Sequence, residues 1–116
     1  MSNLNITERR SEPVVILDLQ GKIRLGEGNL ELHQALRLLV EKGEKKILLN
    51  LKEVSNIDSS GLGELIAGYA TLQKNGGDLK LLNLTERVSE LMMITKLLTV
   101  FEVFEDETQA VESFND

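Results

Sequence analysis

The sequence predicts an α/β fold: one domain over residues 1–116, with a mixed, mostly parallel sheet of four to five strands and about four helices. Three observations lead there. The chain opens with two successive strand-like runs. Beyond them, segments with apolar residues at helical spacing alternate with short apolar runs, the pattern of a sheet that is parallel in its later part. One of those runs, "KILLNL" from Lys46, is apolar almost throughout, as in a strand covered on both faces.

Each element has its own signal. "LNITE" alternates apolar and polar residues, as an edge strand does. "SEP", Ser11 to Pro13, reads as a turn. "VVILDLQG", from Val14 to Gly21, is β-branched and strand-like, antiparallel to the first strand. "GEGN", Gly26 to Asn29, is a loop in which Asn29 can cap a helix. Leu32, Leu36, Leu39 and Val40 then fall on one helical stripe, which Gly43 stops. "KILLNL" gives way to a loop, "KEVSNID". Leu62, Leu65, Ile66, Tyr69 and Ala70 recur at helical spacing, up to "NGG" at Asn75 to Gly77. "DLKLLNL" is another strand, and Thr85 can cap a third helix carrying Val88, Leu91 and Met92. "TVFEVF" reads as a last short strand. "DETQAVESF" reads as a last helix, with Asp106 and Gln109 spaced as in a capping box.

Composition narrows the function. Hydrophobic residues make up 41% of the 116, enough for one core. Aromatics are 3%, so stacking platforms for bases or sugars are not expected. Lys and Arg number 13 against 19 Asp and Glu, a net charge of -6. Nucleic acid is not an expected partner, and a basic protein is an easier one. The chain has no cysteine, which removes disulfides, thiol catalysis and cysteine metal sites. "MSNLNITERR" lacks the apolar stretch of a signal peptide, and no run reaches the roughly 18 residues of a spanning helix. The chain therefore reads as a cytoplasmic protein that does not insert into membranes.

The stretch "NIDSSGLGELIAG", Asn56 to Gly68, carries the chemistry. It follows a buried strand and opens a helix. Asp58, Ser59 and Ser60 all suit a helix N-terminus, and the plainest reading is that a serine caps the helix. Gly61 and Gly63 each cost up to about 1 kcal/mol against Ala in a helix. Close packing on the sheet, or close approach by a partner, would account for them. A helical wheel places Ser60, Gly63, Ala67 and Thr71 at or beyond the edge of the apolar stripe, a low patch of small residues.

Catalysis fits poorly. A serine hydrolase needs a base, and the sole histidine, His33, falls on another helix outside its apolar stripe. "DSSGLG" lacks both the Gly-x-Ser-x-Gly elbow and the Gly-Lys-Ser/Thr ending of a phosphate-binding loop. No metal or cofactor is expected. Phosphorylation fits better: a phosphoserine carries about -1.5 to -2 charge, which helix N-terminal amides tolerate. Beneath a docked partner that charge would have to be desolvated beside Asp58 and Glu64. Leaving it uncompensated costs about 3–5 kcal/mol.

"VVILDLQGKI", "KKILLNLKEVSNID", "DSSGLG", "KNGGDLKLLNL" and "LLTVFEVFEDETQAV" together resemble the anti-sigma factor antagonists that define the STAS domain. The resemblance covers most of the chain and implies a STAS-type fold and a partner switch without enzymatic activity. The unphosphorylated antagonist binds an anti-sigma factor that is also a serine kinase, and a sigma factor is freed. Phosphorylation of the serine after the motif aspartate ends binding, and a serine phosphatase restores it. Carried over, the acceptor is Ser59, with Ser60 as second choice because the wheel turns Ser60 outward. The partner-binding set is Asp58, Ser59, Ser60, Gly61, Gly63, Glu64 and Ala67. The rival readings are a STAS scaffold or accessory subunit, for example of a lipid transport system, and a nucleotide binder using the "DSSGLG" amides. The short first strand also offers an edge at which a second copy could form a homodimer.

Overall fold

The computed structural model describes residues 4–115. Five strands form one sheet in the order β1 (Leu4–Ser11), β2 (Val14–Ile23), β3 (Lys46–Ile57), β4 (Asp78–Leu82) and β5 (Val103–Phe104). β1 pairs antiparallel with β2, and every later pairing is parallel. The helices are α1 (Glu27–Glu41), α2 (Ser59–Lys74), α3 (Glu86–Ile94) and α4 (Glu107–Ser113). The mixed, mostly parallel α/β architecture is thus as the alternation of segments predicts.

Strand alternation divides the core in two. Val15, Leu17, Leu19, Ile47, Leu49, Leu51, Leu79 and Leu81 face α1, α2 and α3. Val14, Ile16, Leu48 and Leu82 point the other way and meet Ala110 and Phe114 of α4. The central strands are therefore apolar on both sides, which is why "KILLNL" shows no alternation. On the α4 side, Arg9 bridges Asp18 at 2.6 Å and Glu107 at 2.5 Å, tying the edge strand to the last helix. Among the described residues no helix is long and apolar enough to cross a membrane.

Four local expectations need correction. β2 does not stop at Gly21 but runs on to Ile23, and β3 does not give way to a loop at Lys52 but runs on to Ile57. The two extensions pair with each other, Ile23 opposite Ile57, across two register shifts. Gly21, at φ 116°, lies at one shift, a conformation that suits glycine. Such irregularities break the period of two, so Lys52 and Glu53 are both exposed and the continuation is masked. Asn29 does not cap α1. The cap position is Gly26, without a side-chain bond, and Asn29 lies within the first helical turn. The segment before β5 is not strand: Leu97–Thr99 forms a 3-10 turn, and Phe101 turns inward to pack edge-on against Tyr69, ring centres 5.3 Å apart.

The other caps follow the sequence. Thr85 accepts from the Val88 N–H and Asp106 from the Gln109 N–H. Each such cap contributes on the order of 1 kcal/mol. Leu49 sits fully buried in the middle of β3, within the larger core. Truncation to alanine is expected to cost about 2–5 kcal/mol, read as a lower urea midpoint with an unchanged slope.

Candidate functional site

The site forms where β3 ends and α2 begins. Asp58, in an extended conformation, is the N-cap. Its Oδ1 accepts from the Gly61 N–H at 2.9 Å and from the Ser60 hydroxyl at 2.7 Å. Its Oδ2 accepts from the Leu25 N–H at 3.0 Å, on the β2–α1 loop. The Asp58 N–H in turn donates to the Ile23 carbonyl at 3.3 Å. One carboxylate thus closes the first turn of α2 and fixes the neighbouring loop to it.

Partial burial works against the Asp58 charge. Donation from Leu25, the Ser60 hydroxyl and the first-turn amides outweighs it and brings the pKa down to about 2. The group is therefore a carboxylate at any ordinary pH.

The two serines differ. Ser60 is half-buried and its hydroxyl is spent on Asp58. Ser59, the first residue of the helix, is exposed, and its side chain has no hydrogen-bond partner among the described residues. The wheel, which turns Ser60 outward, misplaces the pair. The cap is Asp58 rather than a serine, so the first helical turn starts at Ser59.

The glycines differ as well. A Cβ on Gly61 would lie 2.3 Å from the Ile23 carbonyl oxygen and 2.8 Å from Cγ1 of Ile57, so α2 rests directly on the ends of β2 and β3. Gly61 is buried and offers a partner no surface. A Cβ on Gly63 would meet nothing within 4 Å. Gly63, Ala67 and Thr71 are exposed, so no neighbouring helix covers the small-residue face. Glu64 lies apart from Ser59 in role: its carboxylate is turned towards α1, 2.7 Å from Nδ1 of His33, and is largely covered. Among the described residues no group of three or more His, Cys, Asp or Glu is placed to hold a metal ion.

Leu25 is the residue that sequence reading missed. It is 81% exposed, yet its backbone is held by Asp58. A leucine inside "RLGEGN", beside a glycine, was the available signal.

Residues 5–110 match the family model for the STAS domain. The chain belongs to the STAS domain family. It is 33% identical to the anti-sigma-B factor antagonist of Bacillus subtilis (strain 168) over 101 residues, covering 87% of this chain and 91% of that protein. An anti-sigma factor antagonist from Mycobacterium paratuberculosis has the same fold, with a TM-score of 0.86 at 20% identity over 97% of this chain and 95% of that one. So does the Bacillus cell fate determinant SpoIIAA in its phosphorylated form, with a TM-score of 0.74 at 18% identity over 94% and 98% of the two chains.

Two outcomes are expected of this STAS domain. Gly61→Ala should destabilise it by about 1–3 kcal/mol, because backbone stands in the way, whereas Gly63→Ala should gain up to about 1 kcal/mol. Urea midpoints separate the two. Asp58 has a folded pKa of about 2, below the ordinary 3.8, so its contribution is present above about pH 4 and lost as pH falls towards 2. Between pH 5 and 2.5, Asp58→Asn should therefore lose less stability than the wild type.

Proposed function

We propose that this protein is an anti-sigma factor antagonist. Unphosphorylated, it binds an anti-sigma factor serine kinase and so frees a sigma factor. Phosphorylation of Ser59 ends that binding, and a serine phosphatase restores it. The observation that carries the reading is the contrast at the start of α2. Asp58 and Ser60 hold each other, while the Ser59 hydroxyl stands free in solvent. The likeness to proteins named anti-sigma factor antagonists supports it.

The physics of the switch follows from the first turn. A phosphate on Ser59 would lie near amides that have no intrahelical partner, at the positive end of the α2 dipole. The domain should stay folded. The adjacent Asp58 is charged, so the modified turn would carry about three negative charges. A partner seated over Leu25, Ser59, Gly63 and Ala67 would have to desolvate them. At about 3–5 kcal/mol for an uncompensated buried charge, binding would weaken by roughly two to four decades. ATP belongs to the kinase, and this chain needs no catalytic group.

The test is capture of partners from the native lysate with wild type, Ser59→Asp, Ser59→Ala and Ser60→Ala, identified by mass spectrometry. Wild type, Ser59→Ala and Ser60→Ala should retain the same serine kinase, and Ser59→Asp should lose it. Equal retention by Ser59→Asp and wild type would favour a scaffold role. Incubation with the captured kinase and ATP should place one phosphate on wild type and none on Ser59→Ala.

A further inference from the structure

Lys80 is the one charged residue buried among the described residues, at 5% exposure. It lies on β4, on the face that Leu82 and α4 otherwise make apolar. Its ammonium donates to the carbonyl of Ser113 at 3.1 Å and to the Ser113 hydroxyl at 2.9 Å, closing the last turn of α4. It stands 4.6 Å from the Phe114 ring centre and 5.9 Å from that of Phe104. Among the described residues its one carboxylate partner is Glu102 at 2.9 Å, and Glu102 is 63% exposed. A counter-ion so open to water is weakly held.

Lys80 opens on a cleft of about 470 Å³ at the N-terminal ends of β3 and β4, lined also by Lys45, Lys46, Gly77 and Asp78. The Lys45 ammonium is drawn to the cleft wall by the Asn75 carbonyl at 2.7 Å. The half-buried Lys46 has no ion-pair partner among the described residues. The cleft also carries the negative charge of the Asp78 carboxylate, whose Oδ1 accepts from the Gln73 amide at 3.0 Å and the Leu79 N–H at 2.9 Å. Three lysines, Lys45, Lys46 and Lys80, thus line one cleft against two acids, Asp78 and Glu102, a local excess of positive charge in a chain whose net charge is -6.

We propose that this cleft binds a phosphate group, free or at the head of a small phosphomonoester. Lysine ammonium groups suit phosphate oxygens as movable point charges. Lys46 and Lys45 supply charge from one wall, and Lys80 supplies a fixed, nearly dry cation from the floor. The exposed Glu102 swings out as the phosphate takes its place, so no buried charge is left unpaired. The volume is within the range of small-molecule pockets and leaves room for a sugar or glycerol beyond the phosphate. The site is at the opposite end of β3 from Ser59 and does not depend on the partner-switch reading.

Titration calorimetry of the full chain tests it, with inorganic phosphate and ribose 5-phosphate at constant ionic strength, followed by amide NMR shifts. Saturable binding is expected, with shifts at Gly76, Gly77 and Ser113. Lys46→Gln, which leaves Lys80 and the core intact, should weaken binding about tenfold, and Lys45→Gln should weaken it less. Lys52→Gln, on an exposed position of β3 outside the cleft, removes the same charge and should change nothing. Tighter binding of ribose 5-phosphate than of phosphate assigns the site to phosphomonoesters, and equal binding assigns it to the free ion. No saturable binding, or the same affinity in Lys46→Gln and wild type, would overturn the proposal.

Discussion

Ile23 and Ile57 end the parallel ladder between β2 and β3, and everything at the Ser59 site hangs from that point. The Ile23 carbonyl accepts from the Asp58 N–H and at the same time forms the floor on which Gly61 rests. Two residues past Ile23, the Leu25 N–H meets the Asp58 carboxylate. A shorter ladder would leave the β2–α1 loop and the start of α2 without a common anchor. The same ladder fills the larger core, so the stability of the sheet and the placement of the site are one constraint.

The two ends of the sheet use charge differently. At the C-terminal end of β3, a carboxylate is stabilised by donors and holds backbone in place. At the N-terminal end, a buried ammonium caps α4 and meets a carboxylate that water can replace. Burying a charge is costly unless its partners are good ones. Asp58 has three well-formed bonds from its own domain, whereas Lys80 depends in part on an exposed side chain. The first arrangement is self-sufficient, and the second leaves a valence that a ligand can fill.

Much of this was legible in the residues. Strand order, four helices, the caps at Thr85 and Asp106, and the surface location of Gly63 and Ala67 all followed from local pattern. What failed had local causes. The far half of β3 was hidden because register shifts disturb alternation, placing Lys52 and Glu53 on the surface together. Asn29 was credited with a cap that backbone geometry gives to Gly26. Ser60 was turned outward because a wheel assumes helical phase from the start and does not register that Asp58, as cap, captures its hydroxyl. The contact between His33 and Glu64 joins residues 31 positions apart, and no period reports it. Lys80 did not stand out within "DLKLLNL", because no local pattern reports that α4 covers the side of the sheet to which it points.

Ser59 stands at the first position of a 16-residue helix. Opening the first turn of α2 needs the release of the bonds to Asp58 from Leu62, Gly61, Ser60 and Leu25, while Leu65 and Leu72 stay seated in the core. Opening of that kind belongs to the fraying end of the local-stability range rather than to global unfolding. The Asp58 latch is then a gate as well as a cap: its strength sets how often the first turn of α2 opens.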